Sequence, residues 1–212
     1  MEESKQKVDY SLYLCTDRRL MTSGSIEECV EQAIRGGVTV VQLREKDCSS
    51  REFYELALRV KRVTKQYQVP LIINDRVDIA LAADADGVHV GQKDLPCQEV
   101  RRLVGEKKIV GVSAANRAAA LQAAADGADY IGVGAVFATG TKQDAVVIAP
   151  EELAAIRQAV SIPMVAIGGI QKQTLPLLKG TGIDGVAVIS AIVAQPDVEQ
   201  AARELKELWN TL

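Results

Sequence analysis

At 212 residues the chain is long enough for one α/β domain with a large core, which needs no disulfides to hold it. Apolar residues make up 48% and aromatics only 4%, a balance that suits parallel strands buried on both faces and Ala-rich helices. A net charge of −3 with no dominant basic patch argues against a nucleic-acid surface and leaves any anionic substrate to a few placed cations.

Residues 1–9, MEESKQKVD, read as a polar tail without a secretory leader, and residues 10–212 as a single domain. No apolar run reaches membrane-spanning length, so a soluble cytoplasmic protein is expected. The four cysteines, Cys15, Cys29, Cys48 and Cys97, lack CxxC spacing and are expected to be free buried thiols. Cys97 follows Pro96 at a potential helix start, where a thiol can acidify, but an inert thiol is the expectation.

Eight short, nearly continuous apolar runs are predicted as strands, at 11–16, 38–43, 70–74, 87–91, 108–113, 130–136, 163–168 and 185–190. Helix-like stretches at 25–35, 51–67, 77–83, 117–125, 151–160, 171–179 and 198–212 lie between and after them. The last repeats Val198, Ala201, Ala202, Leu205, Leu208, Trp209 and Leu212 at helical spacing. That stripe reads as barrel-packing surface, with a subunit contact in a homo-oligomer as the alternative. Strand-then-helix repeated in this way predicts a (β/α)8 barrel. An open doubly wound sheet is the other option, but no GxGxxG follows the first strand.

In such a barrel the site lies at the carboxyl ends of the strands. The second strand ends in VQLREK, where alternation puts Gln42, Arg44 and Lys46 on one side. Arg44 can fork onto a phosphate and Lys46 adds a mobile charge. The third strand ends in Asn74 and Asp75, the fourth in Gln92 and Asp94. If these two strands are parallel neighbours, Asp75 and Asp94 face one cleft and need a cation or a proton between them. Such hard oxygen ligands suit Mg²⁺ on a substrate phosphate. Ser113 ends the fifth strand. After the sixth, Thr139, Gly140, Thr141 and Lys142 form a small hydroxyl-rich loop suited to phosphate. Gly168 and Gly169 end the seventh strand and Ser190 the eighth, where such barrels build a phosphate site. His89, the single histidine, falls in mid-strand and reads as a hydrogen-bonded core residue.

These motifs, taken in order, resemble those of the thiamine-phosphate synthase family: VQLREK, INDRVDIALAADADGVHVGQKDLP, GVGAVFATGTKQDA, VAIGGI and GVAVISAI. The resemblance implies a transferase that joins 4-amino-2-methyl-5-pyrimidinylmethyl diphosphate to 4-methyl-5-(2-hydroxyethyl)thiazole phosphate, yielding thiamine phosphate and pyrophosphate. It implies Mg²⁺ on Asp75 and Asp94, and the pyrimidine diphosphate on Gln42, Arg44, Lys46, Asn74 and Lys142. Ser113 would then sit near the departing diphosphate, and Arg44, Lys46, Ser113 and Lys142 would carry the catalysis. Thr139, Thr141, Gly169, Ile189 and Ser190 would bind the thiazole phosphate. The chain departs from the family pattern at Ala135 and Ala138, where prolines are frequent, and at Gln171, where Asn is frequent.

Two other functions are weighed against this one. A related thiazole tautomerase shares the barrel but needs a proton-shuttling histidine beyond the fifth strand, where this chain reads Ser113-Ala114-Ala115-Asn116. A non-catalytic phosphate-binding regulator would not need the two carboxylates.

Overall fold

The computed structural model describes residues 7–138 and 147–212. Its strands are β1 (Leu12–Cys15), β2 (Val40–Leu43), β3 (Leu71–Asn74), β4 (Gly87–Val90), β5 (Ile109–Ala114), β6 (Tyr130–Gly134), β7 (Met164–Ile167) and β8 (Gly185–Val188). They pair in sequence order, all parallel, and β8 returns to β1 to close the barrel. Around them lie α1 (Ile26–Arg35), α2 (Ser50–Gln66), α3 (Val77–Ala82), α4 (Cys97–Val104), α5 (Arg117–Ala125), α6 (Pro150–Ala159), α7 (Ser190–Val193) and α8 (Val198–Trp209). The expected (β/α)8 barrel is present. No helix among the described residues is long and apolar enough to cross a membrane.

Alternation along each strand sorts side chains into two layers. Leu12, Leu14, Val41, Leu43, Leu71, Ile73, Val88, Val90, Ile131 and Val133 point outward and are buried under the helices. Tyr13, Val40, Ile72, Tyr130, Val165 and Ala187 fill the interior. The helix starts are set locally. Ser49 and Glu52 form a reciprocal capping box on α2, while Ser25, Asn116 and Asp197 accept from the first turns of α1, α5 and α8.

The expected helix at 171–179 is instead one 3₁₀ turn, Leu175–Leu178. Pro176 has no N–H to donate and its ring clashes with the preceding turn of an α-helix, so the segment cannot continue as one. The eighth strand also stops earlier than expected: Val188 ends β8, and Ser190 opens α7. In α8, Val198, Ala201, Ala202 and Leu205 are buried, whereas Leu208, Trp209 and, beyond the helix, Leu212 are only partly covered.

The lower end of the barrel is clamped by a recurring device. The residue just before each even strand binds the odd strand before it twice, through its backbone N–H and its side chain. Thr39, Asp86, Asp129 and Asp184 donate their N–H to the carbonyls of Leu12, Leu71, Val110 and Met164 at 2.8–2.9 Å. Their side-chain oxygens accept the N–H of the same four residues at 2.8–3.2 Å. Strand register is thus pinned at the end opposite the polar rim.

Candidate active site

The β3–β4 register, with Asn74 opposite His89, brings the carboxyl ends of these strands level. Asp75 leaves β3 in the left-handed region at φ 63, which Asp tolerates better than most residues. Its N–H donates to the His89 carbonyl at 2.8 Å, and Lys46 Nζ donates to its Oδ2 at 2.5 Å. Across the rim, Asp94 Oδ2 accepts the Gly91 N–H at 2.7 Å. Partial burial pushes the Asp94 carboxyl up; the Gly91 N–H opposes this, and the facing Asp75 adds to it, so the net direction is upward. Two facing carboxylates of this kind favour a cation between them. Among the described residues no third His, Cys, Asp or Glu joins them, so a metal held here must complete its shell with water or substrate oxygens.

Beside this pair, Arg44 follows β2 half-buried. Its N–H donates to Thr16 Oγ1 at 3.0 Å, and its Nη1 lies 3.3 Å from Asp17 Oδ2. Asp17 is buried and also receives Arg19. Burial disfavours its charge, but the hydrogen bonds from Arg19 and the charge of Arg44 outweigh this and hold the carboxyl below its ordinary range. The expected alternation holds along β2: Gln42 is buried in the interior while Val41 and Leu43 pack outward. Glu45 turns away from Arg44 and pairs with Arg18 at 3.0 Å.

Beneath the rim, Gln42 Nε2 donates to the Tyr13 hydroxyl at 2.8 Å, and Tyr13 meets the Tyr130 hydroxyl at 2.7 Å. Tyr130 in turn lies 2.9 Å from His89 Nδ1, and His89 Nε2 lies 2.9 Å from Ser113 Oγ. His89 is therefore the hydrogen-bonded core residue that its mid-strand place suggested. Burial pushes its pKa down to about 4, so the imidazole is neutral near pH 7. Gln92 Nε2 donates to the Ser113 carbonyl at 2.7 Å and fixes the backbone there. Asn74 is buried beside Asp75.

The opposite part of the rim is built from β6, β7 and β8. The Val136 and Phe137 N–H groups donate to the carbonyls of Ile167 and Gly168 at 3.0 and 3.1 Å. Gly168 and Gly169 have φ 98 and φ 65. A Cβ at Gly168 would lie 2.5 Å from that of Ala135, and one at Gly169 would lie 2.5 Å from the Ala138 carbonyl oxygen. Conformation and space both demand glycine here. Thr174 Oγ1 caps the turn by donating to the Gly169 carbonyl at 3.0 Å. Ile189 and Ser190 are half-buried at the start of α7, and Ser190 opens onto a groove shared with Gln171 and Gln195. Thr139, Gly140, Thr141 and Lys142 lie outside the described residues; the segment leading to them departs against Gly168 and Gly169.

The structure therefore gathers Lys46, Asn74, Asp75, Asp94 and Ser113 on one part of the rim, with Arg44 following β2 and Gln42 buried beneath, and Gly169, Ile189 and Ser190 on another. Sequence reasoning passed over Asp17, Tyr13 and Tyr130. The inward register of Tyr13 and Tyr130 within apolar strands was their only signal. Three of the free cysteines are buried as expected, and Cys48 is half-exposed. Burial pushes the Cys97 thiol up to about 11, which overrides any help from the start of α4.

Comparison with known proteins adds independent weight. The family profile described as "Thiamine monophosphate synthase" matches residues 12–192. The thiamine-phosphate synthase of Clostridium botulinum (strain Eklund 17B / Type B) is 58% identical over 208 residues, covering 98% of each chain. That of Clostridium beijerinckii is 57% identical, covering 95% of this chain and 97% of its own. The solved structure of a thiamine phosphate pyrophosphorylase from Pyrococcus furiosus superposes with a TM-score of 0.88 at 41% identity over 96% of each chain. With a matching barrel, a matching order of motifs and relatives of this likeness over nearly its full length, the chain belongs to the thiamine-phosphate synthase family and is a transferase of that class.

Proposed function

We propose that the β2–β5 part of the rim takes the pyrimidine diphosphate as its Mg²⁺ complex, and that the β6–β8 part takes the thiazole phosphate. The overall reaction is that of the family: 4-amino-2-methyl-5-pyrimidinylmethyl diphosphate and 4-methyl-5-(2-hydroxyethyl)thiazole phosphate give thiamine phosphate and pyrophosphate. Asp75 and Asp94 would hold Mg²⁺, with the remaining positions left to diphosphate and water. When bound, the ion would neutralise charge on the leaving group.

The chain's own residues supply the rest. Arg44 and Lys46, now held by Asp17 and Asp75, would turn onto diphosphate oxygens when the substrate binds. Gln42 and Asn74 orient the pyrimidine, and Ser113 stands by the departing diphosphate. Gly169, Ile189 and Ser190 take the thiazole phosphate, together with Thr139 and Thr141; Lys142 adds charge on the diphosphate. The diphosphate departs with both electrons of its carbon–oxygen bond, leaving a pyrimidinylmethyl cation. The thiazole nitrogen lone pair then closes on that carbon. No proton is removed, so the rim needs no strong base, and charge stabilisation and alignment are the whole task.

The observation that carries this reading is the Asp75–Asp94 pair facing across the β3–β4 rim with Lys46 on Asp75. The test is a coupling assay with both substrates, with and without Mg²⁺, following thiamine phosphate and pyrophosphate. Equal, Mg²⁺-dependent formation of the two is the expected result. Product formation undiminished by chelation of divalent ions would remove the metal from the assignment.

A further inference from the structure

The barrel interior holds a polar chain that the reaction outlined above leaves unexplained. It runs from Gln42 on β2 through Tyr13 on β1, Tyr130 on β6 and His89 on β4 to Ser113 on β5, with steps of 2.8, 2.7, 2.9 and 2.9 Å. Its two ends are residues placed at the diphosphate substrate. Its three middle members, Tyr13, Tyr130 and His89, are buried. Two glycines make room for it. A Cβ at Gly111 would lie 2.2 Å from the Tyr130 ring, and one at Gly132 would lie 3.1 Å from the His89 ring.

Proton counting limits how this chain can be ordered. Each tyrosine has one hydroxyl proton, and a neutral imidazole has one N–H. Only two orders place one proton in each of the four contacts. In the first, the Gln42 amide nitrogen donates to Tyr13, Tyr13 to Tyr130, and Tyr130 to His89 Nδ1. His89 Nε2–H then donates to Ser113 Oγ, and the Ser113 proton is left for the cleft. In the second, the Gln42 carbonyl faces Tyr13, every bond runs the other way, and Ser113 gives its proton to His89. Any mixture leaves one contact with two protons or with none, which strands a buried polar group. Gln42 Nε2 against Tyr13 is the arrangement of the first order; the opposite amide orientation gives the second, and the His89 tautomer distinguishes them.

We infer that Tyr13, Tyr130 and His89 are positioning residues, holding His89 as the Nε2–H tautomer so that Ser113 is kept as a hydrogen-bond donor to the departing diphosphate. The inference rests on the proposed placement of Ser113. A chain of protons ordered in advance means that Ser113 need not reorganise as charge develops on the leaving oxygen.

Because His89 is the single histidine, nitrogen-15 histidine labelling gives one imidazole whose tautomer can be read directly at neutral pH. The expected spectrum has Nε2 protonated and Nδ1 bare; a protonated Nδ1 overturns the inference. Tyr130→Phe removes one hydroxyl while keeping the ring, and should bring a population of the other tautomer. It should lower kcat roughly tenfold, the scale of one lost hydrogen bond, with KM for the thiazole phosphate unchanged. In a Ser113→Ala background the same substitution should have no further effect on kcat, since its influence runs through Ser113. Equal losses in both backgrounds overturn the inference. Ser113→Ala with undiminished kcat would overturn the placement of Ser113 itself, whatever tautomer the spectrum gives.

Discussion

Asp75 and Asp94 do different jobs although they face the same space. Asp75 sits on a left-handed backbone and carries Lys46, whereas Asp94 is tied to the Gly91 N–H and its carboxyl is pushed up by burial and by Asp75. Asn tolerates the left-handed region, so Asp75→Asn removes charge without adding backbone strain. Asp75→Asn and Asp94→Asn should each lower kcat by roughly a hundredfold or more, the scale of losing a metal-bridged charge contact. Thiazole phosphate affinity, measured by calorimetry, should stay within about twofold in both. Full turnover in either variant would detach that carboxylate from the reaction.

A third aspartate, far from the rim, offers a separate test. Lys108 and Lys61 donate to Asp84 at 2.5 and 2.9 Å and hold its carboxyl down at about 2. The folded value lies below the ordinary one, so this contribution is fully present above about pH 4 and fades as pH falls through about 2. Asp84 is exposed, so screening keeps the contribution under about 1 kcal/mol. Asp84→Asn should lower the urea midpoint slightly at neutral pH, and the gap from the parent protein should close toward pH 2. A gap that persists at the acid end would mean the charge is not its source.

At the scale of the elements, the lower-end clamps make a sharper stability prediction than any surface ion pair. Asp184 accepts the Met164 N–H at 2.8 Å and receives Arg157 at 2.9 Å. Met164 is fully buried, so Asp184→Ala strands a backbone donor and should destabilise the fold by about 1–3 kcal/mol. Its kcat and KM should match those of the parent, because this end of β8 faces away from the rim; urea unfolding beside the coupling assay checks both. The barrel was legible in advance because parallel strands covered on both faces must be continuously apolar, and the rim because each of them ends in polar residues or glycine. The clamps were not, since an aspartate just before a strand looks like any solvated charge until its neighbour is known. The segment before β8 was misread because its apolar spacing suggested a helix while Pro176 limits it to one 3₁₀ turn. Tyr13 and Tyr130 escaped notice for a related reason: an aromatic in an apolar strand reads as packing, and only closure of the barrel brings β1 and β6 within hydrogen-bonding reach across the interior.

Across the whole molecule, stability and chemistry are divided between the two ends of the barrel. The lower end pairs its charges with backbone and with each other, as Asp129 and Asp184 do with Arg101 and Arg157. The upper end leaves two carboxylates facing one another and sets cations beside them, an arrangement that a bound cation and anion would stabilise further. Binding that favours the folded state stabilises it by about 2.7 kcal/mol at a hundredfold excess over Kd. For a chain of this size that is a rise in Tm of roughly 5–10 °C. Mg²⁺ with pyrophosphate should therefore raise Tm by that amount, and neither alone should match the pair. The Asp184→Ala protein should start lower yet show the same rise, since its rim is intact. The combined Asp75→Asn and Asp94→Asn protein should start near the parent, or above it once the facing charges are gone, and lose most of the rise. If it kept the full shift, pyrophosphate would be held by the cations alone, and the carboxylate pair would need another purpose.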